Sequence, residues 1–160
     1  MRNSIGGLWL FSIVITFMMI LIAFVAISIN YSNAYKLKTA MITKLEEYDV
    51  FTPSSVEKLN GLISANGYRQ KGNCPEPKDK KEKYFGVIPG ETPKSSPTKP
   101  QSYCVYRTKR SASGGSEDKY YYTITIFFGF NLPVFGDIYT FRVSGETGEI
   151  NYPSKYDYFK

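Results

Sequence analysis

Histidine is absent from all 160 residues, and cysteine occurs only twice. Histidine is the commonest general base and the commonest metal ligand, so its absence removes the usual centres of acid–base and metal chemistry. Two cysteines are too few for a structural zinc site, and the serines have no histidine to activate them. We therefore expect no enzyme activity, no metal and no cofactor.

Charged residues are missing from residues 8–29, where the only polar side chains are Ser12, Thr16 and Ser28. A helix of that length is about 33 Å long and matches a hydrocarbon core of about 30 Å. A cleavable secretory signal is the alternative, with Ala26-Ile27-Ser28 as its cleavage site, but signal apolar regions usually run about 7–15 residues. We predict a retained single-pass transmembrane helix that follows a short cytoplasmic N-terminus at residues 1–7.

Beyond the apolar segment, residues 30–51 show hydrophobic side chains in steps of three or four, the spacing of one helical face. This predicted packing face consists of Ala34, Leu37, Met41, Leu45 and Tyr48. Because no glycine or proline interrupts residues 8–51, the pattern predicts one helix that is an anchor at one end and a core element at the other. The weak helix formers at 30–33 leave a hinge there as the alternative.

Residues 52–160 are predicted to form one extracytoplasmic domain. Pro53 marks the end of the first helix, and Ser54 or Ser55 is predicted to cap a second helix that ends near Ala65. Alternation predicts strands at 103–108, 119–130 and 137–145, with shorter ones at 84–88 and 149–152. In the 119–130 strand, the apolar face holds Tyr122, Ile124, Ile126 and Phe128. Helices followed by strands indicate an α+β fold, in which the long N-terminal helix packs on a small antiparallel sheet.

Six prolines mark residues 71–101 as a long exposed loop rich in proline and lysine. Cys74 and Cys104 flank most of it, and a disulfide between them would contribute about 3–4 kcal/mol in an oxidising compartment. Two free cytosolic thiols are the alternative. Flanking positive charges place the C-terminus in the cytoplasm, but large domains can translocate despite such charges. The cysteine pair and the tyrosine-rich strands favour the outside.

Positive charge is concentrated in residues 69–110, where eleven basic and four acidic residues give +7, against +6 for the whole chain. Such charge suits an anionic wall polymer, lipid headgroups or nucleic acid, and a plain solvated loop is the alternative. The candidate basic surface consists of Lys78, Lys80, Lys81 and Lys83. Tyrosines beside these charges can stack on nucleic acid, but they are more typical of strands, so we do not expect a nucleic-acid partner. Glu146 and Glu149 are interpreted as turn residues rather than an acid–base pair.

The helix at 8–48 and the strand pair ITIFFGFNLPVFGDIYTFRVSGET, with Pro133 between the strands and Thr147 after them, resemble type IV pilin-like proteins. The likeness is greatest to a TadE-like minor pseudopilin of the tight-adherence (Tad) pilus system. It implies a pilin-like fold, prepilin cleavage between Gly7 and Leu8, and other pilin-like subunits or pilus assembly proteins as partners. The glutamate that this family places fifth in the mature helix is replaced here by Ser12.

Two functions are compatible with these features. The first is a non-catalytic subunit of a surface pilus or secretion system, held among membrane lipids until it enters a filament at the cell surface. The alternative is a single-pass membrane protein whose basic extracytoplasmic domain binds an anionic polymer or another ligand.

Overall fold

The domain packs against the C-terminal part of one long helix, α1. The computed structural model describes residues 2–77, 83–110, 119–132, 136–150 and 157–159, with side chains described in 7–77, 83–109, 119–129, 140–150 and 157–159. Helix α1 spans Arg2–Tyr48, 47 residues, which corresponds to about 70 Å. It runs through 30–33 without a break, so the hinge alternative is wrong. Asp49, with a φ of 57°, ends the helix in the left-handed conformation.

Helix α2 spans Pro53–Ala65 and ends where predicted, but it begins earlier than predicted, because its cap is Thr52 rather than Ser54 or Ser55. The Thr52 side chain accepts a hydrogen bond from the Ser55 amide, and the Ser55 side chain accepts one from the Thr52 amide. Proline has no N–H and suits the first helical position, so the residue before Pro53 becomes the cap. Gly67, with a φ of 62°, turns the chain after the helix.

Five strands form one antiparallel sheet in the order β2-β1-β3-β4-β5. They are β1 (Tyr84–Val87), β2 (Lys94–Ser95), β3 (Tyr103–Arg110), β4 (Lys119–Leu132) and β5 (Gly136–Glu146). The α+β prediction is confirmed. At 149–152, Ile150 forms only an isolated bridge to Tyr120, and 151–152 lie outside the described residues.

The described part of the proline-rich segment 71–101 contains the strand predicted at 84–88 and one further strand that was not predicted. It supplies β1 and β2, and Gly72 pairs with Gln101 where the segment begins and ends. Phe85 and Val87 are buried in the core. The prolines lie outside β1, so this strand can pair with β2 on one side and β3 on the other.

The main core lies between α1, α2 and one face of the sheet. Ala34, Leu37, Met41 and Leu45 are buried as predicted, while Tyr48 is only half-buried and Phe51 completes the buried set. The predicted face of β4 meets this helix, and all four of its residues are buried: Tyr122, Ile124, Ile126 and Phe128. The apolar faces of the helix and of the strand therefore pack together in one core.

A second, smaller core covers part of the opposite sheet face. Cys74 and Cys104 form a disulfide with Cα atoms 5.7 Å apart, and they pack with Tyr106 and Phe127. The Tyr106 hydroxyl donates to the Pro75 carbonyl at 2.7 Å. The predicted disulfide is thus present, and it attaches the start of the 71–101 segment to strand β3.

Candidate functional site

The N-terminal half of α1 is exposed almost all around. Among the described residues, α1 is the one helix long and apolar enough to cross a membrane, and its most apolar window is not buried by the rest of the protein. Trp9 is 72% exposed, Phe17 58% and Ile29 56%. We call residues 8–29 the exposed segment. Its length, its composition and its lack of a cover agree with a single-pass membrane anchor.

Polar side chains in and next to the exposed segment bond to their own helix. Thr16 donates to the Ser12 carbonyl at 2.9 Å, and Ser28 donates to the Phe24 carbonyl at 3.0 Å. The Asn30 amide donates to the Ala26 carbonyl at 3.0 Å. In an apolar medium, each unsatisfied donor costs several kcal/mol. These local bonds fit the segment to lipid or to a neighbouring apolar helix.

The exposed segment ends where the sheet begins to cover α1. The Tyr31 ring meets the Phe128 ring edge-on at 5.8 Å between centroids, and Phe128 stacks on Phe141 at 5.4 Å. Ala34, one turn beyond Tyr31, is fully buried. Aromatic rings with polar tips favour the membrane–water interface. Tyr31 lies at the end of the exposed segment, where its ring would meet the surface of a bilayer that this segment spanned.

The predicted cleavage residues lie at the start of the exposed segment. A Cβ placed on Gly7 would meet no atom within 4 Å, and Leu8 is 70% exposed. A protease would thus meet no steric cover from the described domain at this bond. Cleavage between the two residues stays a prediction.

The candidate basic surface falls mostly outside the described residues, since Lys78, Lys80 and Lys81 lie there. Lys83 is described and exposed, directly before β1. A basic surface at these four lysines stays a prediction.

The described titratable side chains include an exposed ion pair and buried tyrosines. No group of three or more His, Cys, Asp or Glu side chains that could hold a metal occurs in the described part of the chain. Glu149 forms an exposed ion pair with Lys119, across the sheet edge. Burial raises the pKa of Tyr103 and Tyr122 far above the ordinary phenol value, so both hydroxyls stay protonated into the alkaline range.

Comparison of the chain with protein-family models, with curated proteins and with solved structures finds no match.

Sequence reasoning missed the C-terminal segment. The Asp157 carboxylate accepts hydrogen bonds from Arg107 at 2.9 Å and from the Tyr122 hydroxyl at 2.5 Å. The Tyr158 amide donates to the Phe51 carbonyl at 3.0 Å. A short aromatic stretch at the end of the chain was the only available signal. That signal could not indicate that Asp157 would pair with Arg107, which lies 50 residues earlier in the chain.

Proposed function

We propose that this protein is a non-catalytic, membrane-anchored subunit of pilin-like architecture that takes part in assembling a surface filament or secretion system. The observation that carries the proposal is the division of α1 into two halves. One half is partly covered by the domain, and the other projects from the domain as an apolar helix whose Thr16 and Ser28 hydroxyls bond to its own backbone.

Assembly through such a segment is energetically feasible. A helix that leaves lipid for a bundle of apolar helices exchanges one apolar environment for another, so solvation changes little. Close packing and fixed helix register then decide the stability of the assembly. The uninterrupted helix keeps the domain at a fixed orientation to that bundle.

An extracytoplasmic domain is part of the proposal. The Cys74–Cys104 disulfide supports it, because disulfides persist in oxidising compartments and are rare in the cytosol.

Sequencing the N-terminus of the mature protein tests processing. A chain that begins at Leu8 would support prepilin-type cleavage, and one that begins at Met1 would indicate an uncut anchor. A chain that begins at Ile29 or later would be a released secreted domain and would contradict the proposal.

Photo-crosslinking tests assembly directly. A photoreactive amino acid at position 17, in the exposed segment, should crosslink to other copies or to other pilin-like subunits in intact cells. The same amino acid at position 39 serves as the matched control. Thr39 is also exposed, but it lies on the second half of α1, whose opposite face is covered by the domain. Crosslinks only to lipid at position 17, with monomer in every fraction, would refute the assembly role.

A further inference from the structure

A cavity of about 430 Å³ lies beside α1, just beyond the end of the exposed segment. Its walls come from three places: α1, the turn that follows α2, and strand β4. Helix α1 contributes Asn30, Asn33 and Lys36, and the turn contributes Arg69 and Gln70. We call this space the junction cavity.

The junction cavity lies at the level of the aromatic contact described above. Asn30 directly follows the exposed segment, and Phe128, whose ring meets Tyr31, forms part of the cavity wall. If the exposed segment spans a bilayer, the cavity opens at the headgroup layer. This step rests on the membrane anchoring in the proposed function.

The charge around the junction cavity has one sign. Lys36 and Arg69 are its charged residues, and no described acidic side chain lines it. Both are exposed, and neither has an ion-pair partner among the described residues. Asn33 and Gln70 add amide groups that can donate hydrogen bonds. Two cations with amide donors form a setting that favours phosphate.

The turn that carries Arg69 is held in place by its neighbour. The Tyr68 hydroxyl donates to the Phe127 carbonyl on β4, and the Tyr68 amide donates to the Ile63 carbonyl at 3.1 Å. Gly67 adopts a φ of 62°, which allows the chain to reverse after α2. The backbone at Arg69 is thereby held next to β4, in the wall of the cavity that Lys36 also lines.

We propose that the junction cavity binds the phosphate headgroup of an anionic phospholipid, with Lys36 and Arg69 as its cationic contacts. Such a lipid would fix the height of the domain above the membrane, because its headgroup would contact both the anchor and the sheet.

The test uses the full chain reconstituted into an equal mixture of phosphatidylcholine and phosphatidylglycerol. Flotation of the vesicles measures anchoring, and mass spectrometry measures the lipids that stay bound after mild detergent extraction. Wild-type protein should retain phosphatidylglycerol in preference to phosphatidylcholine. Lys36→Gln with Arg69→Gln should lower that preference about twenty-five-fold, because each basic residue near an anionic surface contributes about fivefold.

The matched control is Lys58→Gln with Arg142→Gln, which removes the same charge from exposed positions that do not line the cavity. It should keep the wild-type preference. Equal loss in both double variants, or no loss in either, would overturn the proposed site. So would displacement of the lipid by inorganic phosphate alone, because that would indicate a site for soluble anions.

Failure of the lipid site and failure of the anchor give different results. A wild-type chain that floats with vesicles but shows no headgroup preference contradicts the site alone. A wild-type chain that does not float contradicts membrane anchoring, and the lipid site with it.

Discussion

Arg107 on β3 donates a hydrogen bond to the buried carboxylate of Asp157 at 2.9 Å, although the two residues lie 50 positions apart. A second bond, from the other terminal nitrogen of Arg107, reaches the Phe159 carbonyl at 2.8 Å. The pair thus attaches the C-terminal segment to the centre of the sheet, where Phe159 packs on Phe51.

Replacing Asp157 by Ala should lower the free energy of unfolding by about 3–5 kcal/mol, because Arg107 loses its partner and Tyr122 its acceptor. Denaturant unfolding of the full chain in detergent measures this change. Glu149→Gln, which breaks the exposed pair with Lys119, is the control and should change stability by less than about 1 kcal/mol. Equal effects from the two substitutions would contradict the role of the Arg107–Asp157 pair.

Leu45→Ala should destabilise the domain by about 2–5 kcal/mol, because Leu45 is fully buried between α1 and the sheet. Leu10→Ala removes the same atoms from the exposed segment, where Leu10 is 69% exposed. It should leave domain unfolding within about 0.5 kcal/mol of wild type. Thermal unfolding followed by near-ultraviolet circular dichroism distinguishes the two. A tolerated Leu45→Ala would show that the sheet does not depend on α1.

Gly72→Ala should cost about 1–3 kcal/mol, because its new Cβ would lie 2.3 Å from the Cδ1 atom of the Phe127 ring. Gly61→Ala offers a control within α2, where a Cβ would meet nothing within 4 Å. That change should stabilise the protein by about 0.5–1 kcal/mol, since alanine is the better helix former. In the same unfolding assay, the two substitutions should change the free energy of unfolding in opposite directions. A Gly72→Ala variant as stable as wild type would contradict the close packing.

Stability should fall at alkaline pH because of buried tyrosines. Burial raises the pKa of Tyr68, Tyr103, Tyr106 and Tyr122 above the ordinary value of 10.0. Above about pH 10, the unfolded chain loses these phenol protons while the folded chain keeps them. The unfolded state then binds fewer protons, so the free energy of unfolding decreases as the pH rises.

Denaturant midpoints measured at a series of pH values from neutral to strongly alkaline check this dependence. Tyr103→Phe removes one buried phenol and should make the alkaline decrease shallower. A midpoint that stays constant above about pH 10 would refute the expectation.

The elements with a clear hydrophobic period could be predicted from the sequence. Leu37, Met41 and Leu45 mark the covered face of α1, and Ile124 and Ile126 mark the face of β4 that meets it. Each pattern depends only on neighbouring positions, so a local analysis finds it. The end of the exposed segment could be predicted for the same reason.

Features that depend on distant contacts could not be predicted. The sequence predicts a strand at 84–88, but it does not predict β2 or the place of β1 between β2 and β3. The Arg107–Asp157 pair and the junction cavity each require residues brought together only by the fold. The cap at Thr52 depends on a local feature instead, because a proline at the first helical position makes the residue before it the cap.

The uninterrupted helix α1 connects the exposed segment to the domain as one rigid shaft. Inserting a single residue between Ile29 and Ala34 would rotate the sheet by about 100° around the shaft and shift it about 1.5 Å along the axis. The number of residues in this helix therefore sets the rotation of the sheet around the helix axis, and with it the side of the sheet that any adjacent molecule would contact.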